Sequence, residues 1–249
     1  MTLVALRGVA KRYATGTLAL QGIDLDIRVG DFVALLGPSG CGKSTLLRLL
    51  AGLADPTAGR IDWQGSTRPE LGFVFQEPTL MPWATVLRNV TLPLELAGMR
   101  RRAAEERARE WIVRVGLEGF EQAYPRTLSG GMRMRVSIAR ALVTRPEVLL
   151  LDEPFAALDE ITRFRLNDDL LRLWEAERFT VVFVTHSVFE SVFLARRILV
   201  MAPRPGRIAR EEAITVDGAR DPAFRTSAGY AALCRRVSDA LAQAMAPSA

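Results

Sequence analysis

Lysine, histidine and cysteine are scarce in this 249-residue sequence. Of its 33 basic residues only Lys11 and Lys43 are lysines, and His186 is the single histidine. The two cysteines, Cys41 and Cys234, provide no disulfide framework, and this favours a reducing cytosol. Because these residue types are so rare, the positions that they occupy are informative.

Long apolar runs are also missing. No stretch reaches the ~18 uninterrupted apolar residues that would predict a membrane span, and the N-terminal residues lack the apolar segment of a secretory signal. No basic patch is interleaved with aromatic residues, so we expect no nucleic acid partner despite the net charge of +5. With 49% hydrophobic and 24% charged residues, the composition is that of a globular domain, with or without an inserted subdomain.

Short apolar runs predict buried strands at residues 32–37, 71–76, 148–152 and 180–186. They lack polar alternation, so both of their faces should be covered, as in a parallel sheet. Helical patterns follow most of them, for example at 43–53 and 159–177, and this alternation predicts an α/β core. About the first 30 residues and residues 59–66 predict shorter, antiparallel strands.

A helical region, charged at its centre, interrupts this pattern at about residues 86–143. It predicts a helical subdomain inserted into a core that spans residues 1–207. Residues 208–249 then form a C-terminal tail with an amphipathic helix, on which Leu233, Val237, Ala240 and Leu241 share one face. Packing of that face on the core is the favoured role, and a regulatory role is the alternative.

Residues 37–44, GPSGCGKS, fit the pattern G-x-x-x-x-G-K-[ST] between a predicted strand and a predicted helix. The glycines let backbone N–H groups turn inward around phosphate, Lys43 reaches the β and γ oxygens, and Ser44 is a ligand for Mg²⁺. A compact ammonium suits a close phosphate site better than a planar guanidinium does. The sequence therefore predicts a phosphate loop here.

Polar residues end three of the predicted strands. Asp152 and Glu153 end one strand, where they can hold Mg²⁺ and polarise an attacking water. Gln76 and His186 end two others, at the sheet edge where parallel sheets bind ligands. A glutamine amide there can contact Mg²⁺ or water, and an imidazole can donate to a γ-phosphate. A capping glutamine and a structural histidine are the alternatives.

A second glycine-rich helix start follows at Ser129, Gly130 and Gly131. A serine and two glycines ahead of a helix form an anion site from backbone N–H groups. The chain thus has two candidate phosphate sites.

In their order and spacing, these motifs resemble those of the ATP-binding cassette (ABC) ATPases over about residues 3–207. The resemblance implies an α/β fold: a P-loop NTPase core with a mainly parallel sheet, an N-terminal antiparallel β-subdomain and an inserted α-helical subdomain. It also implies ATP hydrolysis with Mg²⁺. Because Cys41 lies in the phosphate loop, we expect its alkylation to inhibit the protein and ATP to protect it.

The same resemblance assigns the site residues. Those that bind ATP are Tyr13, which stacks on adenine, and the phosphate loop of Gly37, Pro38, Ser39, Gly40, Cys41, Gly42, Lys43, Ser44 and Thr45. The catalytic residues are Glu153 as the base, His186, Gln76 and Lys43, and the metal ligands are Ser44, Gln76 and Asp152. Asp159 belongs to the D-loop, and the signature residues Ser129, Gly130 and Gly131 act on the ATP of a second copy.

The signature departs from the family in one residue, since it usually ends in glutamine and here ends in Met132. Ser129 and the glycine N–H groups are expected to bind the phosphate, so little loss of activity is expected. The departure puts only the positioning of the signature helix in question.

Residues 75–98 and 188–208 resemble one bacterial importer group, whose members take up nitrate, taurine, aliphatic sulfonates or pyrimidine precursors of thiamine. The resemblance implies a homodimer of cassettes, separate integral membrane permease subunits and, indirectly, a solute-binding protein. It places the chain peripherally on the cytoplasmic face of the bacterial inner membrane, with the apolar stretch after Gln76 at the permease. A soluble ABC ATPase not engaged in transport and a P-loop kinase are the alternatives, of which the kinase leaves Ser129 to Gly131 unexplained.

Overall fold

A computed structural model describes residues 1–65, 68–216 and 218–246. The chain divides into two compact units, residues 1–68 with residues from 180 onward, and residues 69–179. The helical region predicted at 86–143 lies within the second unit, which also contains two strands and a long helix.

The strands, in chain order, are β1 (Thr2–Arg12), β2 (Leu18–Arg28), β3 (Phe32–Leu36), β4 (Ala58–Trp63), β5 (Leu71–Val74), β6 (Val148–Asp152), β7 (Thr180–Thr185), β8 (Arg197–Ala202) and β9 (Arg207–Ala213). The α-helices are α1 (Lys43–Ala51), α2 (Val86–Leu96), α3 (Arg101–Arg114), α4 (Gly130–Leu142), α5 (Glu160–Glu177), α6 (Val188–Leu194) and α7 (Ala228–Met245). Short 3₁₀ turns lie at Pro125–Thr127 and Phe224–Thr226.

The first unit contains two sets of paired strands. Strands β2, β1 and β4 form an antiparallel sheet in that order. Strand β3 pairs in parallel with β7 on one side and β8 on the other, and β9 adds to β8 in antiparallel. Every residue of β3 and β7 is buried. The α/β fold class, with its mainly parallel strands and its N-terminal antiparallel sheet, is confirmed.

The antiparallel strands are longer than the sequence predicts, because β1 and β2 each contain 11 residues. Their pairing includes several register shifts. Each shift interrupts the two-residue alternation of buried and exposed side chains, so the pattern looks like that of shorter strands. Strand β4 covers most of the stretch predicted at 59–66, whose last residue, Ser66, lies outside the described residues.

The second unit places β5 and β6 side by side in parallel and packs α2, α3 and α4 against one another. Asn89, which is fully buried, holds the segment before α2. Its side-chain amide donates to the carbonyl oxygens of Met81, Ala84 and Thr85, and its carbonyl oxygen accepts from the N–H of Met81 at 2.8 Å. A loop held in this way has a defined shape although it contains an exposed tryptophan, Trp83.

The C-terminal helix α7 packs on α6, β8 and β9 of the first unit. Its buried residues are Tyr230, Cys234, Val237 and Ala240. The predicted face included Val237 and Ala240 but also Leu233 and Leu241, which are only half-buried. The buried stripe is thus centred closer to Tyr230, whose hydroxyl donates to the carbonyl oxygen of Phe189 at 2.9 Å.

Candidate functional site

The phosphate loop joins β3 to α1 in the first unit. Gly42 caps α1 with φ 97°, and no side chain accepts a hydrogen bond from the first turn at this cap. Gly40 also has a positive φ, of 77°. The first N–H groups of a helix have no partner inside the helix, so this geometry directs them toward a bound anion.

Lys43 is the first residue of α1 and is only 4% exposed. Its ammonium donates to the carbonyl oxygens of Gly37 at 2.8 Å and Pro38 at 3.0 Å. The side chain therefore folds back over the loop and holds its positive charge against the start of the loop. A phosphate chain bound at the loop fits both the charge and the backbone donors.

Cys41 is fully buried within the loop. Its Sγ lies 2.8 Å from the position that a Cβ on Gly37 would take, and the carbonyl oxygen of Met201 lies 2.9 Å from the same position. Packing against Gly37 buries the thiol in this structure, and inhibition by alkylation of Cys41, with protection by ATP, stays a prediction. Its backbone remains part of the loop.

Tyr13 lies beside the phosphate loop. Its hydroxyl is 3.1 Å from Oγ1 of Thr45, and the ammonium of Lys11 lies 5.6 Å from the centre of its ring. Lys11 is held in turn by the carbonyl oxygen of Asp55 at 2.6 Å. The ring is 37% exposed, so part of it is available for stacking. Both lysines of the chain thus lie in this one region.

His186 follows β7 directly and lies next to the phosphate loop, because Leu36 of β3 pairs with Thr185 of β7. Strand β7 ends at Thr185, one residue earlier than predicted, since the Thr185 hydroxyl accepts from the N–H of Ser187 at 3.0 Å and forms a turn. The same hydroxyl donates to the carboxylate of Glu190. Sequence reasoning missed the buried Glu190, whose only signal was a carboxylate inside an apolar helical run.

In the second unit, Gln76 lies near the acidic end of β6. Val74 pairs with Leu151, and Gln76 follows β5 at the same sheet edge at which Asp152 and Glu153 follow Leu151. Strand β5 ends at Val74, two residues before the predicted end. Glu153 has φ 46°. A positive φ is costly for a residue other than glycine, and Pro154 follows directly, so the acid is held in a strained conformation.

The second glycine-rich helix start is also in this unit. Ser129 caps α4, and its Oγ accepts from the N–H of Met132 at 3.2 Å. Asp159 caps α5 by accepting from the N–H of Thr162 at 2.9 Å, and that hydrogen bond lowers the pKa of Asp159. A Cβ on Gly131 would lie 2.6 Å from Cγ2 of Thr162. The structure therefore places the starts of α4 and α5 against each other.

Each unit thus gathers its own group of predicted residues. The first unit brings together Tyr13, the phosphate loop and His186. The second unit brings Gln76 to the end of β6. It also brings Ser129, at the start of α4, next to Asp159, at the start of α5.

The family model described as ABC transporter matches residues 20–156. The chain belongs to the ABC transporter family. It is 51% identical over 213 residues to an uncharacterized ABC transporter ATP-binding protein of Methanocaldococcus jannaschii, covering 84% of this chain and 79% of the relative. As a member of this family, the chain binds ATP and is an ATPase.

The resemblance to the importer group is confirmed as well. The chain is 45% identical over 212 residues to the aliphatic sulfonates import ATP-binding protein SsuB of Bacillus cereus, covering 82% of this chain and 83% of the relative. A solved dimeric ATP-binding cassette in a post-hydrolysis state, bound to ADP and Pi, matches with a TM-score of 0.75 and 35% identity, covering 86% of this chain and all of the cassette. Among the residues that the structure describes, no helix has the length and apolarity of a membrane span.

Proposed function

We propose that this ABC ATPase is the energy-supplying subunit of a bacterial importer for a small solute of the nitrate, sulfonate or taurine type. Its similarity to an aliphatic sulfonates import protein over four-fifths of both chains carries this proposal. The chain works as a homodimer that closes head to tail on two ATP molecules. The dimeric, ADP-bound cassette of the same fold supports this arrangement.

Within one copy, the phosphate loop and Lys43 hold the phosphates of ATP, and Tyr13 stacks on adenine. The signature residues Ser129 to Gly131 of the other copy contact the same ATP. Ser129 accepts a hydrogen bond from its own helix, and its hydroxyl proton is still available to a phosphate oxygen. Asp159 holds the start of α5 against the signature.

By the resemblance to the family, the side chains that would hold Mg²⁺ are the hydroxyl of Ser44, the amide of Gln76 and the carboxylate of Asp152. Hard oxygen donors of this kind are the usual ligands of Mg²⁺, which keeps several waters as well. When bound, Mg²⁺ neutralises charge on the β- and γ-phosphate oxygens.

Glu153 orients the attacking water and accepts a proton from it. As this proton leaves, the water oxygen bonds to the γ-phosphorus, and the bond between the γ-phosphorus and the β-γ bridging oxygen breaks. The constrained backbone at Glu153 limits the directions in which its carboxylate points. His186 donates a hydrogen bond to the γ-phosphate as charge develops on it. The turn formed by Thr185, Ser187 and Glu190 holds His186 at the end of β7.

Coupling to transport requires separate permease subunits on the cytoplasmic face of the inner membrane, with a solute-binding protein as an indirect partner. Two large apolar side chains in the second unit are well exposed, Trp83 at 76% and Leu96 at 79%. Trp83 lies in the loop that Asn89 holds in shape. The loop that carries Trp83, in the apolar stretch after Gln76, is the proposed contact for a permease helix.

The variant Glu153→Gln tests the enzymatic part of the proposal. Loss of the base should reduce ATP hydrolysis on the order of 10²- to 10⁴-fold, whereas the amide still occupies the site and ATP still binds. The variant should accumulate as a dimer with Mg²⁺ and ATP, measured by size-exclusion chromatography with light scattering. Glu147→Gln, at an exposed residue directly before β6, is the matched control, since Glu153 directly follows the same strand. A fully active, strictly monomeric Glu153→Gln protein would refute the mechanism.

The substrate class is tested in the host organism. Deleting the gene should abolish growth on an alkanesulfonate or taurine as the only sulfur source, or on nitrate as the only nitrogen source. A thiamine requirement alone would indicate a pyrimidine precursor instead. Normal growth in every case, without co-purifying membrane subunits, would favour a soluble ATPase not engaged in transport.

A further inference from the structure

The turn between β8 and β9 lies directly against the phosphate loop. Gly206, in this turn, donates from its N–H to the carbonyl oxygen of Ala19 at 3.0 Å, and its own carbonyl accepts from the N–H of Gln21 at 3.0 Å. These two bonds join the turn to β2 across Leu20. The turn is therefore fixed to β2, the strand that follows the loop containing Tyr13.

No side chain fits at Gly206. A Cβ there would overlap the carbonyl oxygen of Cys41, and it would lie 2.8 Å from the carbonyl oxygen of Ala19 and 3.0 Å from Cδ2 of Leu20. Gly206 does not have a positive φ, so close approach alone requires glycine here. The atom that it approaches most closely is part of the phosphate loop.

The loop is equally tight against β2. A Cβ on Gly42 would lie 2.7 Å from the same Cδ2 of Leu20 and 2.9 Å from the carbonyl oxygen of Ala19. The peptide between Cys41 and Gly42 is thus enclosed by Leu20, Ala19 and Gly206. In a planar trans peptide, the carbonyl oxygen and the N–H point in opposite directions. Holding the Cys41 carbonyl against Gly206 therefore directs the N–H of Gly42 away from the turn, toward the phosphate side of the loop.

We propose that Gly206 is a positioning residue for nucleotide binding, acting through the peptide between Cys41 and Gly42. A methyl group at Gly206 would push the Cys41 carbonyl aside and rotate this peptide. The N–H of Gly42 would then no longer point at the phosphate. The inference rests on ATP binding by the phosphate loop and is independent of which solute is transported.

The test is calorimetric titration of the full chain with ADP and Mg²⁺, using wild type, Gly206→Ala and two matched variants. Gly59→Ala is as crowded, because its Cβ would overlap the carbonyl oxygens of Gly8 and Arg7, and it is strained further by a φ of 76°, but it lies in the β1–β4 pairing. Gly229→Ala, in α7, has no neighbour closer than Ser227 Oγ at 3.8 Å. Misplaced binding groups cost on the order of 10- to 100-fold, so Gly206→Ala should weaken ADP binding by that factor.

Gly59→Ala should lower the melting temperature as much as Gly206→Ala or more, while its ADP affinity stays within about twofold of wild type. Gly229→Ala should change neither quantity. Wild-type affinity for ADP in Gly206→Ala, or an equal loss in Gly59→Ala, would overturn the proposal. Failure of wild type itself to bind ADP would instead refute nucleotide binding, so the two failures are distinguishable.

A second pair of variants applies if Gly206→Ala does not fold. Leu20→Ala removes the side chain that contacts both glycines, whereas Ile23→Ala removes a side chain that is also fully buried, from the same strand and away from the loop. Both variants should lose stability. In Leu20→Ala the loss of ADP affinity should exceed what the loss of stability explains, whereas in Ile23→Ala it should not. Equal ADP affinities in the two variants would contradict the proposal.

Discussion

The two glycine-rich helix starts, at α1 and at α4, differ in what satisfies their first turn. At α1 the cap is Gly42, which offers no side-chain acceptor. At α4 the cap is Ser129, whose hydroxyl already accepts from the N–H of Met132. Because the first N–H groups of a helix lack partners inside it, α1 is arranged for a bound anion, whereas α4 is stable with its own cap.

This difference indicates an order of events. In the proposed mechanism, the phosphate loop, with a buried ammonium from Lys43, is the primary site for the phosphates. In the proposed dimer, the signature adds a hydroxyl proton and glycine N–H groups to a nucleotide that another copy already holds. Changes at the first site should therefore alter affinity, and changes at the second should alter turnover.

The largest expected effect is that of Ser129→Glu. A carboxylate at this position repels phosphate but suits a helix N-terminus, so α4 should stay folded. We expect ATP hydrolysis to fall at least about 100-fold, while the affinity of the monomer for ADP stays within about twofold. Steady-state ATPase assays and calorimetry measure the two quantities. Ser129→Thr keeps the hydroxyl and is the control, and a parallel loss of binding and turnover in Ser129→Glu would argue against a signature acting on another copy.

An intermediate effect is expected for Tyr13→Ala, which acts at the first site. Loss of base stacking costs about 1 to 3 kcal/mol, so the KM for ATP should rise about 5- to 100-fold while kcat at saturating ATP is retained. Tyr13→Phe keeps the ring and loses only the hydrogen bond to Thr45, worth at most about 1 kcal/mol at an exposed site. An unchanged KM in Tyr13→Ala would remove Tyr13 from the nucleotide site.

The smallest effect is expected for Met132→Gln, which restores the usual family residue. Position 132 contributes its backbone N–H to the cap, and this donor is the same in both proteins. The ATPase rate should therefore stay within about twofold of wild type. A several-fold gain in rate would show that the side chain, and not only the backbone, positions α4.

The sequence predicted those parts of the protein that depend on neighbours along the chain. The phosphate loop, the four buried runs and the helix starts at Ser129 and Asp159 are local patterns of residue type and spacing. Their positions in the structure agree with the patterns to within a few residues at the ends of strands. The early end of β5 was not predictable, since it depends on where its pairing with β6 stops, at Val74 and Leu151.

Contacts between distant parts of the chain could not be predicted. The burial of Cys41 arises from packing against Gly37, with Met201 of β8 beside them. Two strands, β2 and β3, and the phosphate loop lie in the chain between Tyr13 and its hydrogen-bond partner Thr45. The need for glycine at Gly206 depends on a carbonyl oxygen far away in sequence. No periodicity or motif carries such information, because each contact exists only once the sheet has formed.

The parallel register of β3 and β7 has a consequence for how this protein can change over evolution. Hydrogen bonds between the strands, and not the length of the intervening chain, set the position of His186 beside the phosphate loop. Insertions in the surface loops between residues 37 and 180 therefore leave the histidine where it is. A single deletion inside β7 would instead turn every later side chain of the strand to the opposite face. Tolerance to length variation should thus be high across the intervening loops and nearly nil within β7.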